Sequence, residues 1–117
     1  MSPAIVLDRQ GRFVGAIGSP GGNAIPAYIA KALVGALYWK LPLPQALALP
    51  NLVARGEHFN GEADAFDPKI LEALSARGID VKAGSGEDSG LHGVLWRDGK
   101  LEWAADPRRE GTGRSPD

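Results

Sequence analysis

Between Ala24 and Trp39 the chain is apolar on nearly every side of a helix, interrupted by one charge, Lys31. No other segment restricts the fold as much, because a helix apolar all round must be covered on most of its faces. The run is shorter than the roughly 20 residues that cross a bilayer, and a lysine in its middle argues further against a membrane span. It is therefore read as a buried helix. Asn23 is the expected N-cap, Pro26 falls in the first turn where a missing N–H costs little, and Pro42 ends the segment. With 117 residues the chain is one domain's worth, and it has little material left to cover such a helix. A partner is expected, either another polypeptide or a second copy of this chain.

Just before the helix stands Gly18-Ser19-Pro20-Gly21-Gly22, following a short apolar run that ends at Ile17. A strand should hand over to a helix there. Consecutive glycines let the backbone approach a ligand closely, and the first turn of a helix leaves its amides without intrahelical partners. Gly21 and Gly22 are therefore candidate anion-binding positions, with a tight connection that binds nothing as the bland alternative. Nucleotide loops fit poorly: Gly22 is followed by Asn23-Ala24 with no lysine of a P-loop, and the dinucleotide fingerprint is missing. Gly84 to Gly90 is also glycine-rich but leads into a strand.

Around the helix, local signals place two hairpins and a second helix. Ala4–Leu7 and Phe13–Ile17 flank the polar loop Asp8-Arg9-Gln10-Gly11, while Leu91–Arg97 and Leu101–Ala105 flank Asp98-Gly99, a pair suited to a type I′ turn. Asp67-Pro68 opens a helix over Pro68–Arg77, with an apolar stripe at Ile70, Leu71 and Leu74 and Gly78 as its stop. Ile79 and Val81 alternate like a short strand. From Pro42 to Phe66 the reading is one helical turn at Pro44–Leu49, a strand fragment at Leu52–Ala54, and loop elsewhere. The order predicts a layered α/β or α+β fold with antiparallel strands. Residues 112–117 form an expected disordered tail.

Other functional classes are narrowed by composition. Lys and Arg number 13 against 14 Asp and Glu, with no basic run, so nucleic acid is not an expected partner. Without cysteine there is no disulfide, thiolate nucleophile or thiolate metal site. No signal-peptide pattern opens the sequence at Met1. Glu57, His58, Glu62, Asp64 and Asp67 lack the spacing of a metal motif and read as a solvated acidic loop; neither metal nor cofactor is expected. Ser89 and His92, with Glu87 and Asp88 nearby, suggest a hydrolase triad, but residues three apart on a strand face opposite ways. Arg108 and Arg109 fit interlayer ion pairs better than carboxylate binding. Trp39, Trp96 and Trp103 read as core or interface residues.

Three blocks carry a resemblance: Met1-Ser2-Pro3-Ala4-Ile5-Val6-Leu7, Gly18-Ser19-Pro20-Gly21-Gly22, and Ala105-Asp106-Pro107-Arg108-Arg109-Glu110-Gly111. Together and in this order they resemble the C-terminal part of γ-glutamyltransferases, also called γ-glutamyltranspeptidases or glutathione hydrolases. The resemblance covers residues 1–111 best and is weakest from Asn51 to Phe66. It implies a partial N-terminal-nucleophile hydrolase αββα sandwich, in which this chain is the last part of a small subunit. The implied reaction is acyl transfer of a γ-glutamyl group, from compounds such as glutathione, to water, an amino acid or a peptide. Gly21 and Gly22 take the place of the backbone donors that hold the oxyanion.

The same resemblance implies partners: the remainder of the small subunit and the large subunit, with a periplasmic or secreted setting typical of bacterial members. The family's threonine nucleophile and paired serines lie upstream of the Met-Ser-Pro block, and Thr112 is the only threonine in these residues. The segment alone is thus expected to be inactive. The sequence departs from the family in two places: an arginine usual two residues after Gly-Gly is Ala24, and the Ala-Pro-Arg-Phe block reads Leu49-Pro50-Asn51-Leu52. A non-catalytic relative with a binding or assembly role, and a small anion-binding module, are the alternative functions.

Overall fold

The computed structural model describes residues 2–83 and 88–114. In chain order its strands are β1 (Ala4–Leu7), β2 (Phe13–Gly18), β3 (Leu52–Arg55), β4 (His58–Gly61), β5 (Val81–Ala83), β6 (His92–Arg97) and β7 (Lys100–Ala105). The helices are α1 (Ile25–Leu33), α2 (Leu43–Ala48) and α3 (Pro68–Ser75).

Both expected hairpins form. Asp8 organises the loop of the first: its carboxylate accepts from the Gln10 and Arg12 N–H groups and from Arg12 Nε, each at 2.9 Å. In the second, Asp98 and Gly99 have φ of 51° and 75°, the positive values that a type I′ turn demands. The hairpins join through β2 and β6 into one antiparallel sheet of order β1-β2-β6-β7. A smaller sheet, β3-β4-β5, departs from the expected antiparallel pattern, because β4 and β5 run parallel. The chain returns between them through α3, and such a crossover allows parallel pairing. The strand β4 lies where a loop was expected.

The apolar run is helical as expected but changes pitch, passing from α1 into a π-helical turn over Val34–Tyr38. Asn23 is not its N-cap: it lies inside a 3-10 turn over Gly22–Ala24, and its Oδ1 accepts from Arg55 Nη1 at 2.7 Å. The helix stops before Pro42, where Lys40 turns to φ 58°. Asp67 does cap α3, accepting from the Lys69 N–H at 2.9 Å. At the other end Gly78 (φ 81°) supports a Schellman pair, with Gly78 N–H donating to Ser75 and Ile79 N–H to Leu74.

One core holds the large sheet to α1 and α2. Ile17, Leu95 and Ala104 point from the sheet towards Ile25, Tyr28, Ile29, Ala32 and Ala36 of the long helix and Leu43, Ala46 and Leu47 of α2. Only one side of the long helix is covered, leaving Val34 and Tyr38 exposed. The period of two along strands sends Ile5, Trp96, Leu101 and Trp103 to the other face of the sheet, where a bulge also sets Phe13 opposite Leu7. All six are exposed. Hence Trp39, Trp96 and Trp103 are not core residues, and the stripe on α3 is at most half-buried. A sheet with one packed face and one bare apolar face is half of a sandwich.

Candidate active site

The Gly18–Gly22 turn sits where β2 leaves the sheet and the long helix begins. Gly21 has φ 141°, and a Cβ there would lie 2.6 Å from Tyr28 Cε2, so both backbone and space require glycine. Gly22 has φ 58°, with open space where a Cβ would stand. Both are exposed, and among the described residues neither N–H has a hydrogen-bond acceptor. Two adjacent exposed amides at the start of a helical turn can bind an anion.

The turn is held from behind. Ser19, almost fully buried, accepts the Gly90 N–H on Oγ at 3.0 Å and donates to the Pro20 carbonyl at 2.7 Å. Pro20 in turn lies against Gly90, where a Cβ would come within 2.9 Å of its ring. Residues 89–91 are fixed by Asp106: its Oδ2 accepts from Ser89 Oγ and, at 3.2 Å, from the Leu91 N–H. The other oxygen of Asp106 takes the Arg108 N–H and Nη1, both at 3.0 Å.

Arg108 lies at the centre of a buried polar cluster. Its guanidinium grips Glu62, with Nη2 2.8 Å from Oε1, and also donates to the carbonyls of Leu47, Ala48 and Leu49 at the end of α2. The carbonyls that α2 leaves unsatisfied are thereby occupied. Lys31 shares the task, donating to Leu47 and Leu49 at 2.9 Å each and to Asn51 Oδ1 at 2.8 Å. Asn51 is fully buried and passes a hydrogen bond from Nδ2 to Ser89 Oγ at 3.0 Å.

The charges of this cluster respond to their surroundings. Burial, aided by the nearby Arg108 cation, brings the Lys31 pKa down to about 8 despite opposing attraction from Asp106 and Glu62. For Glu62 burial works upwards, but Arg108 and the Asn51 N–H outweigh it and hold the carboxyl below its usual range. Burial likewise opposes ionisation of Asp106, and hydrogen bonds from Ser89, Arg108 and Leu91 again prevail, lowering its pKa.

The remaining sequence candidates do not assemble into a site. Ser89 spends its proton on Asp106, whereas His92 turns Nδ1 to the Gly90 carbonyl at 3.1 Å; Glu87 lies outside the described residues. Arg109 donates to the Asp88 carbonyl at 2.9 Å. The acidic stretch is not uniformly solvated, since Glu62 is bound to Arg108 and Asp67 caps α3. Among the described residues no three His, Asp or Glu side chains converge as a metal site. Nor is any helix of the described residues long and apolar enough to cross a membrane. An apolar cleft of about 400 Å³ touches the turn only at Gly18, away from Gly21 and Gly22, and is lined also by His92, Trp103 and Thr112–Arg114 among others. Sequence reasoning missed Asn51 and Lys31 as partners, since their contact spans 20 residues and has no local signature.

Comparison with known proteins places these features in context. Residues 1–115 match the family model described as gamma-glutamyltranspeptidase. Compared with curated protein sequences, the chain has no match. Among solved structures it is similar to the gamma-glutamyltranspeptidase of Pseudomonas nitroreducens, both as a highly active mutant and complexed with L-DON, at 27% identity and a TM-score of 0.84. All of this chain is covered, but it spans only 62% of that relative's chain. The Helicobacter pylori gamma-glutamyltranspeptidase, at 19% identity, has a TM-score of 0.80 over 93% of this chain and 61% of its own. The transpeptidase CapD of Bacillus anthracis, at 24% identity, has a TM-score of 0.75 over 99% of this chain and 70% of its own. These last two likenesses concern the fold alone, an α+β arrangement of the N-terminal-nucleophile hydrolase type with antiparallel sheet. Because one family model accounts for residues 1–115 and the fold matches solved members, the chain belongs to the gamma-glutamyltranspeptidase family.

Proposed function

We propose that this chain is the oxyanion-binding part of a γ-glutamyl acyl-transfer enzyme, with the Gly21 and Gly22 N–H groups as the donors. The observation that carries the reading is a pair of exposed amides, without an acceptor among the described residues, on a turn that Tyr28, Ser19 and Gly90 keep in place. Donors fixed in advance cost no reorganisation when negative charge develops on a carbonyl oxygen. A threonine hydroxyl from outside these residues adds to the γ-glutamyl carbonyl carbon, and the carbonyl π pair moves onto oxygen between the two amides. Collapse of that intermediate breaks the C–N bond and expels the amine, which carries off the proton given up by the threonine hydroxyl. Water or an amino acid or peptide amine then attacks the acyl-enzyme, and its proton returns to the threonine oxygen as the acyl–oxygen bond breaks. The family membership and the likeness to the gamma-glutamyltranspeptidase complexed with L-DON support this chemistry.

The nucleophile belongs to another part of the enzyme, so these residues alone are inactive. The bare sheet face supports this division, since Ile5, Leu7, Phe13, Trp96, Leu101 and Trp103 leave the place of a second layer open. The remainder of the small subunit and the large subunit are the proposed partners. The test is turnover of γ-glutamyl-p-nitroanilide by the enzyme assembled from this chain and the nucleophile-bearing remainder. Replacing the Gly22 N–H by an ester oxygen should lower kcat by ~10²- to 10³-fold. An unchanged kcat would refute the role of that amide.

A further inference from the structure

Lys31 is the single charge in the apolar run, yet it makes no ion pair among the described residues; its three protons go to the Leu47 and Leu49 carbonyls and to Asn51 Oδ1. An ammonium only donates, so Asn51 must turn its oxygen towards Lys31 and its NH₂ away. That NH₂ donates to Ser89 Oγ, which obliges Ser89 to give its own proton to Asp106. Gly90 N–H is then directed at Ser19 Oγ, and Pro20 lies against Gly90. The next residue is Gly21. The same helix supplies Tyr28, three residues before Lys31, whose ring fills the space beside Gly21.

We propose that Lys31 is a positioning residue for the Gly21-Gly22 turn: its cationic head sets the direction of the Asn51–Ser89 hydrogen bonds and thereby holds the 89–91 segment that clasps Ser19 and Pro20. The catalytic consequence rests on the acyl-transfer reading above, whereas the coupling itself does not. Lys31 and Asn51 reach the turn through the chain's own interior, at 2.8 Å from Lys31 to Asn51 and 3.0 Å from Asn51 to Ser89. A neutral, apolar side chain at position 31 frees the Asn51 amide to flip and removes the constraint on Ser89.

Amide hydrogen exchange of the full chain, read by ¹⁵N NMR, tests the coupling. In Lys31→Met, protection of the Gly90 N–H should fall about tenfold or more, as expected for losing roughly one net hydrogen bond of local stability. The Gly21 and Gly22 amide signals should shift, while the Ile79 N–H, bonded to Leu74 at the far end of α3, should keep its protection. Asn51→Leu cuts the relay but leaves Lys31 its two carbonyls, and it should give the same local signature if Lys31→Met fails to fold. Unchanged Gly90 and Gly21 signals, or a loss of protection that includes Ile79 equally, would overturn the proposal. If the local signature appears but the Gly22 ester leaves turnover intact, the relay stands and the acyl-transfer reading fails. If the ester abolishes turnover and no local signature appears, only the role of Lys31 is lost.

Discussion

Alanine at Gly21 and alanine at Gly22 should have clearly different effects on stability, although the residues are adjacent and both have positive φ. At Gly21 two costs combine. Its φ of 141° is a conformation that side-chain-bearing residues rarely adopt, at about 1–3 kcal/mol. The new Cβ would also stand 2.6 Å from Tyr28 Cε2 and 3.2 Å from Cδ2, and Tyr28 is 2% exposed, so its ring has nowhere to go. Overpacking of this kind adds about 1–3 kcal/mol. The total for Gly21→Ala is about 2–6 kcal/mol. At Gly22 the φ of 58° is ordinary left-handed backbone and the Cβ meets nothing within 4 Å. Gly22→Ala therefore costs only about 1–2 kcal/mol. Urea unfolding of the three chains, followed by tryptophan fluorescence, measures the difference as a shift in midpoint at constant slope. In a Tyr28→Leu background, which removes the nearest ring atom, the steric part of the Gly21→Ala cost should shrink and the backbone part remain. Equal losses for the two alanines, or a Gly21→Ala cost indifferent to Tyr28→Leu, would refute the packing argument.

Acid stability and association provide two more tests. Asp106 and Glu62 have folded-state pKa values below their usual ones, so their contribution to stability is present above the unfolded values near 3.8 and 4.5 and is lost as pH falls through the folded values. Asp106→Asn should flatten that acid limb in a pH series of unfolding curves; an unaltered limb would contradict the assignment. The bare sheet face predicts that the isolated chain self-associates through Ile5, Leu7, Trp96 and Leu101, and that serine at these positions shifts sedimentation towards the 12.3 kDa monomer. A wild-type chain that sediments strictly as a monomer would contradict this.

The hairpins, the α3 caps and the apolar helix were legible because their signals are local. Asp98-Gly99 needs only its own φ values, and Asp67 needs only the amide of Lys69. The loop reading of residues 58–61 failed because β4 has little apolar alternation: its strand character comes from pairing with β3 and β5. Asn23 has the right chemistry for a cap, but Arg55 binds its side-chain oxygen instead. Of the two readings given to the tryptophans, core or interface, exposure removes the first, because hydrophobicity gives no indication which face of a sheet is covered.

By itself the sequence determined the glycines of the turn and the apolar run behind them, and its three blocks pointed to the family. Each of those is written within a few consecutive residues. Tertiary structure alone decided that Tyr28 closes the space at Gly21, that Ser19 meets Gly90 across 71 residues, and that Lys31 finds neutral oxygens instead of a carboxylate. Such contacts have no local signature, because a buried polar group must take whatever partner the packed chain brings within 3 Å of it.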